Sequence, residues 1–149
     1  MKNIQLFLML FAFSGMALLS GCGGDDNGEP SAADSRRALL TSKTWTVSSV
    51  TTPPSSATEG ADWAPFTVSF TDSNMTTANH PAGAEVVWPS GAWSFGNDAA
   101  TTIVRGDGIT MTINSLTESS LVVQFNGDQE WSTDGRTASL GGQYTFNLQ

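Results

Sequence analysis

Apolar residues recur at every second position along much of the chain after Lys43, and turn residues interrupt the pattern roughly every ten positions. Phe66, Val68 and Phe70 alternate with Thr67, Ser69 and Thr71. Ile109, Met111 and Ile113 alternate with Thr110, Thr112 and Asn114, and Leu121, Val123 and Phe125 repeat the pattern. Tyr144, Phe146 and Leu148 close the chain in the same way. Successive strand side chains point to opposite faces, so each run describes a strand with one buried face. Further strands are expected at 44–50, with Trp45, Val47 and Ser49 on one face and Val50 blurring the alternation, and at 75–78. The runs 86–88 and 92–95 flank the turn Pro89-Ser90-Gly91. Residues 101–105 and 109–114 form the clearest hairpin, because the Asp-Gly step of Gly106-Asp107-Gly108 offers the positive φ of a tight turn. A turn-rich stretch fills 126–142. The one helix expected is 31–42, one or two turns long, with Ser31 and Asp34 spaced as a capping box and Ala38, Leu39 and Leu40 as its apolar patch. About eight short strands with short connections predict an all-β, antiparallel up-and-down barrel with one short N-terminal helix. A sandwich of two sheets is the alternative.

The first 21 residues carry a different pattern. Lys2 precedes an apolar run from Ile4 to Leu19, followed by Ser20, Gly21 and Cys22. That is the layout of a signal peptide, and the run is shorter than the roughly 20 residues a spanning helix needs. Small residues before the cysteine let the backbone lie extended in a peptidase cleft, while Leu19 fills a pocket upstream. Leu19-Ser20-Gly21-Cys22 resembles the lipobox of bacterial lipoproteins. The resemblance implies cleavage of residues 1–21 and acylation of Cys22, which anchors the protein at a membrane. Two or more acyl chains hold where one does not, since each buried methylene contributes about 0.8 kcal/mol. Cys22 is the only cysteine, so no internal disulfide forms. Residues 22–33 contain no apolar side chain large enough to anchor a core and are expected to be a flexible acidic tether to a barrel domain over 34–149. The Asp25-Asp26 pair resembles the export signal that sends lipoproteins of Bacteroidota to the outer face of the outer membrane; the periplasmic face is the alternative address.

Charge narrows the partners. The chain holds 6 Lys and Arg against 14 Asp and Glu, a net charge of −8, and loss of Lys2 with the leader makes it more acidic still. Phosphate backbones need a cationic face, so no nucleic-acid partner is expected. Catalytic chemistry is thinly provided. His80 is the only histidine, read as an exposed loop residue, and with Cys22 acylated there is no thiol for it to activate. No cofactor or metal is expected: Asn126, Asp128 and Glu130 alternate near a glycine but lack the full calcium-loop pattern. Asn74-Met75-Thr76 matches a glycosylation acceptor, which means little behind a bacterial lipobox. The protein is therefore read as a non-enzyme.

Five tryptophans remain as candidate functional groups. Trp45 and Trp93, in phase with Val47 and Phe95, are read as core. Trp63, Trp88 and Trp131 sit at strand starts or turns, where an indole at a barrel mouth stacks on a sugar or lines an apolar cavity; they are the candidate ligand-binding residues. The segments from Leu39 to Trp45, Trp63 to Phe66, Trp88 to Phe95 and Gly142 to Phe146 resemble the lipocalin-like lipoproteins of Bacteroidota. Lys43 stands where classical lipocalins carry glycine. The resemblance implies a small eight-stranded barrel of unassigned activity. Three functions follow: a noncatalytic surface module that binds a glycan or small apolar ligand, an accessory lipoprotein that docks to an outer-membrane protein, and a hydrolase using two carboxylates. The first expects accessible indoles in a concavity, and the second a filled barrel with an exposed apolar patch.

Overall fold

A computed structural model describes residues 29–128, 130–133 and 136–149, with residues 131–133 and 136–138 described by backbone alone. The expected leader over 1–21, Cys22, the Asp25-Asp26 pair and the Trp131 side chain lie outside the described residues. Helix α1 (Ala32–Thr41) starts on Ser31, whose hydroxyl accepts from the Asp34 N–H at 3.1 Å while the Asp34 carboxylate accepts from the Ser31 N–H. The capping box is thus real, and the helix is longer than the one or two turns expected.

Ten strands follow: β1 (Thr44–Thr51), β2 (Thr67–Phe70), β3 (Asn74–Ala78), β4 (Gly91–Phe95), β5 (Thr102–Arg105), β6 (Thr110–Leu116), β7 (Leu121–Gly127), β8 (Glu130–Thr133), β9 (Arg136–Ser139) and β10 (Gly142–Leu148). Eight of them close an antiparallel barrel in the order β1-β10-β7-β6-β5-β4-β3-β2, which is the up-and-down architecture expected from the alternation, not a sandwich. Strands β8 and β9 form a separate hairpin inserted between β7 and β10, within the stretch expected to be turns. Closure depends on β1, whose first half pairs with β2 (Trp45 opposite Val68) and whose second half pairs with β10 (Val50 opposite Phe146).

A register irregularity between Val47 and Ser49 accounts for the blurred alternation of β1. The extra residue flips the following side chains, so Ser49 is exposed and Val50 packs on the core, the reverse of the simple two-residue phase. The same irregularity recurs in β6 between Ile113 and Ser115, turning Leu116 toward the core. Residues 86–88 are not a strand. They belong to a loop of successive turns, with Ala84 N–H bonded to Pro81 O and Val87 N–H to Ala84 O, so Pro89-Ser90-Gly91 leads into β4 and is not a hairpin turn.

Helix α1 covers the end of the barrel where β1 begins. Leu40 is fully buried there, and the Trp45 indole donates to the Leu40 carbonyl at 2.9 Å, satisfying an orphan acceptor of the last helical turn. Arg37 lies 4.9 Å over the Trp93 ring. The opposite end, here called the mouth, is closed by two loops, 52–66 and 79–90.

Candidate functional site

The mouth loops lower large side chains into the barrel. Trp88 and Phe66 are fully buried, and Trp63 keeps only 4% of its surface exposed. Trp63 and Trp88 each meet Phe146 edge-on at 5.0 Å, and Trp88 meets Phe125 edge-on at 5.7 Å. Such edge-to-face pairs are favourable because the positive ring edge points at a negative face. Trp45 and Trp93 are buried core residues, in agreement with the strand phase. Trp63 and Trp88 are not solvent-accessible indoles; with Phe66 and Phe146 they form a buried aromatic stopper beneath the mouth loops. Of the described side chains, the Trp63 indole N–H is the buried polar group that lacks a hydrogen-bond partner.

Loop 52–66 is tied down by a buried hydroxyl cluster. The Tyr144 hydroxyl donates to the Leu140 carbonyl at 3.0 Å, and the hydroxyls of Ser56 and Thr58 each lie 3.0 Å from it. Loop 79–90 is held by His80, which is half-buried and not the exposed loop residue expected. Its Nε2 donates to the Trp88 carbonyl at 2.9 Å, and its ring meets Phe66 at 5.0 Å. The single histidine therefore has a structural job.

Beside the mouth stands a feature that the reading of tryptophans passed over. Arg105, at the mouth end of β5, has a side chain only 1% exposed. Its Nη1 donates to the Val87 carbonyl at 2.8 Å, its Nε donates to Asp107 Oδ1 at 3.2 Å, and its Nη2 pairs with Asp107 Oδ2. The guanidinium also lies 5.4 Å over the Phe125 ring. Burial pushes Arg105 below its ordinary pKa, against which the bond to Asp107 and the fields of Asp107 and Asp128 pull upward. Asp107 sits on the turn Gly106-Asp107-Gly108, where Gly108 takes φ +89° as the Asp-Gly step predicts. Its Oδ1 also accepts from the Ile109 N–H at 3.2 Å, leaving the carboxylate fixed but 29% exposed.

This ion pair borders an open cleft of about 340 Å³. Met75, Pro89 and Ala92 give it apolar walls, Ser90 and Asp107 give it polar groups, and Gly91 and Gly106 leave bare backbone. The signal was present in the sequence: Arg105 follows Ile103 by two, on the inward phase of its strand, with a turn carboxylate two residues further on. An inward arginine needs a partner, and Asp107 is the nearest acid along the chain. Asn126 and Asp128 lie at the end of β7, both exposed, and the described residues contain no cluster of three or more His, Cys, Asp or Glu that could hold a metal. No described helix is long and apolar enough to cross a membrane. Compared with known proteins, the chain matches no family model, no curated protein and no solved structure.

Proposed function

We propose that this protein is a lipid-anchored, noncatalytic binding module of the outer membrane, facing the cell exterior, that takes its ligand on the outside of a filled barrel. The observation that carries the reading is the stopper: Phe66, Trp88 and Phe146, all fully buried, occupy the space an enclosed apolar ligand would need. An eight-stranded barrel has room for one small ligand or for its own side chains, and here the side chains take it. That favours a polar ligand such as a glycan over a small apolar one. The use of His80 to hold the Trp88 carbonyl and pack against Phe66 gives the one histidine a structural role, which supports a noncatalytic reading. The anchor rests on the lipobox resemblance at Cys22, and the outward face on Asp25-Asp26.

The accessory-docking alternative expects an exposed apolar patch, but among the described residues Val86 is the large apolar side chain left exposed, at 38%. One such residue is not a docking patch. The test has two arms. In growing bacteria the full chain incorporates labelled palmitate and is shaved from intact cells by protease, and Cys22→Ala abolishes the labelling. In detergent micelles the full chain responds to a member of a glycan panel and not to fatty acids, read by isothermal titration. Binding of fatty acids with no glycan response defeats the outside-of-barrel reading.

A further inference from the structure

Resting on that reading, the geometry points to the cleft beside Arg105 and Asp107 as the ligand site and to an uncharged polyhydroxylated ligand, a neutral glycan segment, as its occupant. The charge balance argues for neutrality. Arg105 and Asp107 neutralise each other, and Asp128 adds a further negative field, so an anion meets repulsion and a cation finds its carboxylate already paired. A ligand recognised here has to be recognised by hydrogen bonds.

Asp107 is built for that. A carboxylate offers about four acceptor positions, and three are taken by Arg105 Nε, Arg105 Nη2 and the Ile109 N–H, leaving one on Oδ2. The side chain is 29% exposed, and its orientation is set by a buried arginine that is itself fixed to the Val87 carbonyl. A sugar hydroxyl donating to this oxygen therefore meets an acceptor that needs no reorganisation. Ser90, on the other wall, has its hydroxyl held by Thr77, accepting from the N–H at 2.8 Å and lying 3.1 Å from the Thr77 hydroxyl and 3.4 Å from its carbonyl, so what it offers a ligand is an oriented acceptor and not a free donor. Pro89 and Ala92 offer the apolar surface on which the C–H face of a pyranose rests, and about 340 Å³ lies at the small end of the roughly 300–1,000 Å³ range of ligand pockets. Arg105 is the positioning residue, acting through Asp107.

The experiment is equilibrium binding of neutral trisaccharides of glucose, mannose, galactose and N-acetylglucosamine to the full chain in detergent micelles, alongside uronic-acid counterparts. At least one neutral trisaccharide binds, and its uronic-acid counterpart binds more weakly. Asp107→Asn weakens binding about tenfold or more, the size of a lost charge-assisted hydrogen bond. Because Asp107→Asn also disturbs Arg105, the decisive variant is Gly91→Leu. Nothing lies within 4 Å of the position its Cβ would take, and the glycine lines the cleft, so the substitution fills the site while the fold and melting temperature persist. If a trisaccharide binds wild type and Gly91→Leu equally, the cleft is not the site, although the binding-module reading stands. If only uronic-acid ligands bind, the assigned ligand class is wrong. If no ligand of any class binds, both readings fall.

Discussion

At the residue scale, two tryptophans that look alike in burial differ in what their N–H groups do. The Trp45 indole donates to Leu40 O, whereas that of Trp63 has no partner. Trp45→Phe therefore leaves a buried carbonyl unmet, while Trp63→Phe removes an unsatisfied donor along with its ring. We expect Trp45→Phe to cost about 1–3 kcal/mol more than Trp63→Phe in denaturant unfolding. The Arg105–Asp107 pair is asymmetric in a similar way. Asp107→Ala strands a cation that is 1% exposed and costs about 3–5 kcal/mol. Arg105→Met leaves a carboxylate that water already reaches and an apolar side chain in an apolar place, so the loss is smaller. Equal losses in the two variants would mean that the pair does not behave as a buried ion with a solvated partner.

At the scale of elements, α1 is a short helix whose existence depends on its ends and its single fully buried residue. Ser31 and Asp34 satisfy N–H groups that no helical carbonyl reaches, and Trp45 satisfies a carbonyl at the other end. Ser31→Ala should cost about 1 kcal/mol, seen as a lower unfolding midpoint with an unchanged slope. Much of this element was legible in advance, because a capping box is a local pattern. Its length was not, because the final turn is held by Trp45, which belongs to the next element. The strands divide in the same manner. β7 and β10 keep strict alternation and were readable, while β1 and β6 each carry an extra residue that shifts the phase. Gly142, at φ +118°, shows a tertiary demand on one backbone position: a Cβ there would stand 2.6 Å from Pro53 Cβ, so the strand begins on the residue that lets loop 52–66 pass.

At the scale of the whole molecule, Phe146 joins the barrel wall to the mouth. It touches Trp63 and Trp88 edge-on and is near-parallel to Phe125, with ring centroids 5.8 Å apart. Phe146→Ala should cost about 3–5 kcal/mol through the cavity it leaves. It should also raise acrylamide quenching of tryptophan fluorescence, because both stopper indoles lose the face they rest on. A variant that loses stability with quenching unchanged would show that the stopper is held by its loops alone.

What the sequence determined by itself was the class of structure: two-residue alternation and turn chemistry are properties of neighbouring residues, so the antiparallel up-and-down barrel and the helix cap could be read directly, whereas the β8–β9 hairpin and the loop at 86–88 could not. The acidic balance and the single histidine and cysteine likewise limited the available chemistry before any fold was known. What the tertiary structure decided was whether the aromatic residues at strand ends face water or fill the barrel, and which charges meet. Trp63 and Trp88 carry no local mark of burial; loop 52–66 is tied to Tyr144, 88 positions along the chain from Ser56, while loop 79–90 is held across itself by His80 on the Trp88 carbonyl. The cleft beside Arg105 also needs more than local pattern, since its walls come from β3, from the loop before β4 and from the β5–β6 turn, and the pairing of β3 with β4 and of β4 with β5 makes them neighbours.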